Sequence, residues 1–167
     1  MLDWLVKMLD LPEFFLSSSS GGGAIQDTAS SSSLIALLAA REKTTKTNSN
    51  KAGCSGNLTV YTSSQAHSSI EKAVKIAGIG TNNLRLVKTD KNFAMDVEHL
   101  KQLIDKDIKD KLKPSFVCAT VGTTSSTAVD PVEKIGKICK DLNIWLHVDS
   151  AMAGPAAICP DFRFVHK

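Results

Sequence analysis

No apolar run in this chain approaches the length that spans a bilayer, so no membrane-spanning segment and no membrane partner are predicted. No basic start followed by an apolar block opens it. Asp3 and Asp10 stand there instead, so a signal peptide is not expected. The cysteines Cys54, Cys118, Cys139 and Cys159 form no CxxC pair and are too scattered for a zinc site. Cys118 and Cys139 lie in apolar runs and read as small core residues, which suits a reducing, cytoplasmic compartment. Neither a GxxxxGK[ST] loop nor a GxGxxG fingerprint occurs. The formal charge is only +3, and the lysines of 43–51, 72–91 and 101–113 are broken up by acids and apolar residues. Those lysines read as solvated faces, so nucleic acid is not expected as a partner.

What is present suits one globular domain. The 167 residues are 43% apolar and 22% charged, enough to bury a sizeable core. Leu2, Leu5, Val6 and Leu9 recur at helical spacing beside Trp4, and Pro12 closes that helix. Ser17–Gly23, reading SSSSGGG, is a composition break that serves either as a flexible linker or as a loop of unhindered N–H groups. Asp27, Thr28 and Ser30 are N-cap residue types, and Leu34, Ile35, Leu37 and Leu38 make the apolar face of a helix running to Arg41. A helix start crowded with hydroxyls is an anion site in waiting, because its first N–H groups are unpaired and the dipole is positive there. A plain serine-rich cap is the competing reading.

Residues 44–57 read as an exposed polar excursion. Leu58–Tyr61 is a predicted strand, followed by Ser63–His67 and a helix over 68–77 with Ile70, Ala73, Val74 and Ala77 on one side. His67 lies past a strand end, where a histidine is a cap, a surface residue or a functional ring. Leu84–Val87 is a strand, and 96–109 is an amphipathic helix with Val97, Leu100, Ile104 and Ile108 inward. The buried strand 115–121 opens into Gly122–Thr127, and Pro131 starts a helix over Val132–Leu142. The last strand, 144–148, reads as buried on both faces and ends at Asp149, with Ser150, Ala151, Ala153 and Gly154 leaving room for a ligand. Asp149 as a simple turn or cap residue is the alternative.

Strand, small polar loop and helix repeat. The fold class predicted is α/β, a mostly parallel sheet flanked by helices. Loops that follow parallel strands gather along one rim, so Ser63–His67, Gly122–Thr124 and Asp149–Gly154 are expected together, with the start of the Leu34 helix beside them. A ligand with a phosphate at one end and a basic ring nitrogen at the other would engage this set. Pyridoxal 5′-phosphate is such a ligand, among several phosphate or nucleotide ligands that the residues alone leave open. His147 and Asp149 share one strand face, but two ligands are too few for a metal, and no metal is expected.

Six runs carry a resemblance that covers nearly the whole chain: MLDWLVKMLDLPEFFL, GGGAIQDTASSSSLIALLAAREK, SSQAHSSIEKA, NFAMD, ATVGTTSSTAVDP and WLHVDSAMAGPAAICPDFR. Together they resemble the pyridoxal-phosphate-dependent aromatic amino-acid decarboxylases, the group that includes plant tyrosine/DOPA and tryptophan decarboxylases. The resemblance implies residues 1–167 as a partial large domain of fold type I, cytoplasmic and homodimeric, with an aromatic L-amino acid as substrate. It implies catalytic roles for His67 and Asp149. Asp149 would face the pyridine nitrogen, with Ala151 packed near the ring. His67 would stack on the cofactor, Thr124 would sit near cofactor or substrate, and Ala29 and Ser30 would hold the phosphate.

The departures are specific. Asp27 stands where relatives of that group have glycine, Ser31–Ser33 replaces more varied residues, and Ser150 and Met152 replace alanine and tyrosine. The group's cofactor-binding lysine lies in an NPHK-type run that this sequence does not contain. Lys167 is not assigned that role. Without that lysine the chain alone is expected to be inactive, as a dimerising or weak cofactor-binding relative, and to associate through exposed apolar surface.

Overall fold

The computed structural model describes residues 1–166; Lys167 lies outside the described residues. Four strands form one sheet: β1 (Leu58–Ser63), β2 (Leu84–Val87), β3 (Lys113–Thr120) and β4 (Trp145–Asp149). Their spatial order is β2-β1-β3-β4, and all three pairings are parallel. This is the predicted α/β architecture. The central strand β1 is buried along its whole length and β3 from Ser115 onward, because both of their faces are covered.

The helices divide between the two faces. On one, α2 (Ala29–Thr45) and α4 (Ser69–Ile76) bury Leu37, Ala40, Ile70, Ala73 and Val74 against Val60, Phe116 and Cys118. On the other, α5 (Val97–Lys109) and α6 (Val132–Asp141) bury Leu100, Ile104, Ile135 and Cys139 against Tyr61, Val117 and Ala119. Successive strand residues point to opposite faces, which is why one strand feeds both cores. Burial pushes the thiols of Cys118 and Cys139 up to about 12, so both behave as the core residues expected.

Three details differ from the sequence reading. β4 is half-buried along its length rather than covered on both faces, because it lies at an edge of the sheet. Ile35 and Ile108 are exposed, since each lies off the stripe its helix turns inward. The excursion 44–57 contains a helical turn, α3 (Ser49–Ala52), tied down by Ser49 Oγ donating to Glu42 Oε1. β3 also carries a bulge: Lys113 and Pro114 pair with Leu58 and Thr59, Ser115 is skipped, and Phe116 pairs with Val60. Ser115 Oγ donates to Thr59 O at 2.9 Å, which satisfies that carbonyl. The N-terminal helix α1 (Leu2–Met8) and a following 3-10 turn lie beside α6 and the segment after β4. Between them runs an apolar groove of about 540 Å³, whose lining includes Leu5, Leu9, Phe15, Val132, Val148 and Ile158.

Candidate active site

The loops after β1, β3 and β4 meet the start of α2 at the carboxyl end of the sheet. They enclose a cavity of about 160 Å³ lined by Ala29, Ser30, His67, Ser69, Thr120, Gly122, Thr124, Asp149, Ala151 and Met152. All six residues singled out from the sequence are among them. Thr120, Gly122 and Ser69 are buried and form the inner wall. Ala29, Ser30, His67, Thr124 and Ala151 are exposed at the mouth, and Asp149 is half-buried between.

The start of α2 is prepared locally. Thr28 is its N-cap in extended backbone, and its Oγ1 accepts from Ser31 N at 3.1 Å. Ser32 N donates to Thr28 O. The N–H groups of Ala29 and Ser30 have no acceptor among the described residues, and both residues line the cavity. The glycine run is neither a free linker nor part of this wall. Gly21 N donates to Phe14 O, and Gly23 lies against Leu2, so the run folds back on the N-terminal segment. Asp27 is exposed one residue before the cap, and the Ser31 hydroxyl holds its carboxyl below the usual carboxylate range.

Asp149 is held by backbone N–H groups just past the ends of β3 and β4. Its carbonyl accepts from Val121 N at 2.8 Å, and its Oδ1 accepts from Ala151 N at 3.1 Å. The turn role is therefore real but occupies one carboxylate oxygen. His67 likewise caps α4: its Nδ1 accepts from Ser69 N at 3.2 Å. That bond places the proton of the neutral ring on Nε2. His147 shares the sheet face of Asp149 but points at α2, where its Nε2 meets Ser33 Oγ at 3.2 Å and its ring stacks on Phe116. Burial holds His147 below the ordinary histidine value, against the pull of Asp149.

The loop after β3 is braced from below. Asp130 is buried and accepts from Thr120 N at 2.8 Å and Met95 N at 2.7 Å. Burial raises its carboxyl above the usual range, and the two N–H bonds pull it back. Gly122 has φ +80°, and a Cβ there would lie 2.7 Å from Ala153 Cβ. Only glycine lets the two loops approach this closely.

Sequence reasoning did not find Ser33, Ser69, Thr120 or Asp130. Thr120 had a usable signal, since it alternates with Phe116 and Cys118 along one face of β3. Asp130 had none beyond standing before Pro131, because the N–H groups it meets come from segments distant in sequence.

The whole chain, residues 1–167, matches the family model of the pyridoxal-dependent decarboxylase conserved domain. It is 49% identical over 166 residues to tyrosine decarboxylase 2 of Arabidopsis thaliana, covering 97% of this chain and 30% of that protein. It is 47% identical over 164 residues to phenylacetaldehyde synthase of the same plant, covering 97% of this chain and 33% of that one. Among solved structures, Catharanthus roseus tryptophan decarboxylase in complex with L-tryptophan superposes with TM-score 0.91 at 42% identity, over 98% of this chain and 35% of its own. Oryza sativa TDC with PLP and tryptamine gives 0.92 at 41%, over 98% and 34%. The chain thus spans about a third of the length of these relatives. The fold, the site-bearing loops and the sequence match agree: the chain belongs to the pyridoxal-dependent decarboxylase family.

Proposed function

We propose that this chain is part of the cofactor-binding large domain of a decarboxylase that uses pyridoxal 5′-phosphate and acts on an aromatic L-amino acid. The observation that carries the reading is the joint placement of Ala29, Ser30, His67, Thr124, Asp149 and Ala151 on one cavity, with free helix N–H groups and a strand-end carboxylate both on its wall. The lining fits the cofactor's chemistry. A phosphate needs unpaired N–H donors at a positive helix end. A pyridinium needs a carboxylate, and a bound polar ring gives a partner to the Thr120 hydroxyl, which is buried and has none among the described residues.

Ala29 and Ser30 would hold the phosphate through backbone N–H groups, aided by the Ser30 hydroxyl. Asp149 has one oxygen in its turn; the other would hold the proton on the ring nitrogen, because an opposite charge favours the charged form. When bound, the protonated ring serves as the electron sink for the carbanion left as carbon dioxide departs. His67 offers a ring face for stacking and an Nε2 proton for transfer, with its orientation fixed by Ser69 N. Thr124 and Ala151, which line the cavity, would border the ring and the substrate. The working enzyme in this reading is a cytoplasmic homodimer. No described helix is long and apolar enough to cross a membrane.

The test is calorimetric titration with 4′-deoxypyridoxine 5′-phosphate, which lacks the aldehyde and cannot label lysines. Saturable one-site binding is expected, weakened about tenfold or more by Asp149→Ala. No saturable binding, or binding indifferent to Asp149, overturns the reading. A relative that only dimerises would give the first of these results.

A further inference from the structure

Two buried side-chain polar atoms lack a hydrogen-bond partner among the described residues, Glu42 Oε2 and Thr120 Oγ1. Glu42 lies near the far end of α2 and its other oxygen is fully engaged by Arg41 and Ser49. Thr120 is different. It is the last residue of β3, only 4% exposed, and it lines the cavity.

Its position within the cavity is set by register. Thr120 is the β3 partner of Asp149 in β4. Paired residues of neighbouring strands project to the same sheet face. The hydroxyl therefore belongs to the Asp149 end of the cavity, not to the α2 end where Ala29 and Ser30 offer their N–H groups. Thr120 N is already taken by Asp130 Oδ2 at 2.8 Å, and its carbonyl accepts from Asp130 N at 2.9 Å, so the backbone cannot turn away. A threonine at a buried strand end needs only a β-branched shape, which valine supplies as well. The hydroxyl costs desolvation and is repaid only by a partner.

We propose that Thr120 Oγ1 makes a hydrogen bond to the ring end of the ligand held in this cavity and so positions the ring against Asp149. Thr120 is a positioning residue in this assignment, and the assignment rests on the proposed cofactor reading. The ligand class is a phosphorylated pyridine bearing a polar ring substituent.

The test uses Thr120→Val and Thr120→Ser in the full chain, with 4′-deoxypyridoxine 5′-phosphate as probe and thermal unfolding without ligand as control. Thr120→Val is expected to unfold at the wild-type temperature or slightly higher, because an unpaired hydroxyl is removed. The same variant is expected to bind the probe about tenfold more weakly, as loss of one good hydrogen bond requires. Thr120→Ser is expected to restore affinity to within about threefold of wild type. Wild-type affinity in Thr120→Val overturns this inference alone. A ligand-free Thr120→Val that unfolds at clearly lower temperature also overturns it, since the hydroxyl then has a structural partner. A wild-type chain that does not bind the probe overturns the cofactor reading and this inference with it.

Discussion

Ser33 Oγ and His147 Nε2 lie 3.2 Å apart, and this bond ties the helix whose start faces the cavity to the strand that ends in Asp149. Ser33 is buried and His147 half-buried, and the imidazole also stacks on Phe116 with ring centroids 5.6 Å apart. Ser33→Ala leaves a buried ring nitrogen unpaired. Chemical denaturation is expected to show a loss of about 1–3 kcal/mol. An unchanged midpoint would mean the bond contributes nothing to holding α2 on β4.

The same histidine gives the fold a pH dependence. Burial holds His147 below the ordinary value of 6.5, so the folded chain binds fewer protons than the unfolded one as pH falls past that value. Its contribution is complete above about pH 6.5 and is lost progressively below it, until the folded ring itself titrates. His147→Asn removes this titration. The stability of wild type relative to that variant is expected to fall between pH 7 and pH 5. A difference that stays flat across this range would contradict the assignment.

Asp107 is expected to be the most sensitive charged residue outside the cavity. Its side chain is 3% exposed, Arg85 meets it through Nε and Nη2, and Tyr61 Oη donates to it at 2.6 Å. Asp107→Ala strands a guanidinium and a buried phenol. Urea unfolding is expected to register a loss of about 3–5 kcal/mol. Tyr61→Phe removes two hydrogen bonds, to Asp107 and with Thr59 Oγ1, and is expected to cost about 1–3 kcal/mol.

Gly122→Ala combines a positive φ with a collision against Ala153. The expected cost is on the order of 1–3 kcal/mol for the backbone alone. The loops after β3 and β4 must also part, so probe binding is expected to weaken together with stability. Full retention of both would show that these loops yield easily.

Asp27 places a carboxylate beside the helix end that faces the cavity. A neutral residue there removes a competitor for the same positive dipole. Asp27→Asn is expected to raise affinity for the phosphorylated probe about two- to fivefold at low salt, with the gain fading as salt is added. Lower affinity in this variant would mean that Asp27 shapes the cap rather than opposing the anion.

The sequence by itself determined the parallel α/β fold, because strands with continuous apolar runs alternate with helices of 3.6-residue period. It also determined which loops gather, since parallel strands deliver all their following loops to one rim, and His67, Thr124 and Asp149 were legible for that reason, whereas Ala29 came from the family resemblance alone. The tertiary structure alone decided how each group is engaged. Asp149 spends one oxygen on its own turn, His67 is oriented by Ser69 N, and the glycine run packs on Phe14 and Leu2. It alone set β4 at an edge, joined Ser33 to His147, aimed Asp130 at two distant N–H groups and left Thr120 Oγ1 without a partner. Periodicity fixes which face a side chain takes, but a hydrogen bond depends on which atoms arrive from elsewhere in the chain, and only packing brings them within 3 Å or so.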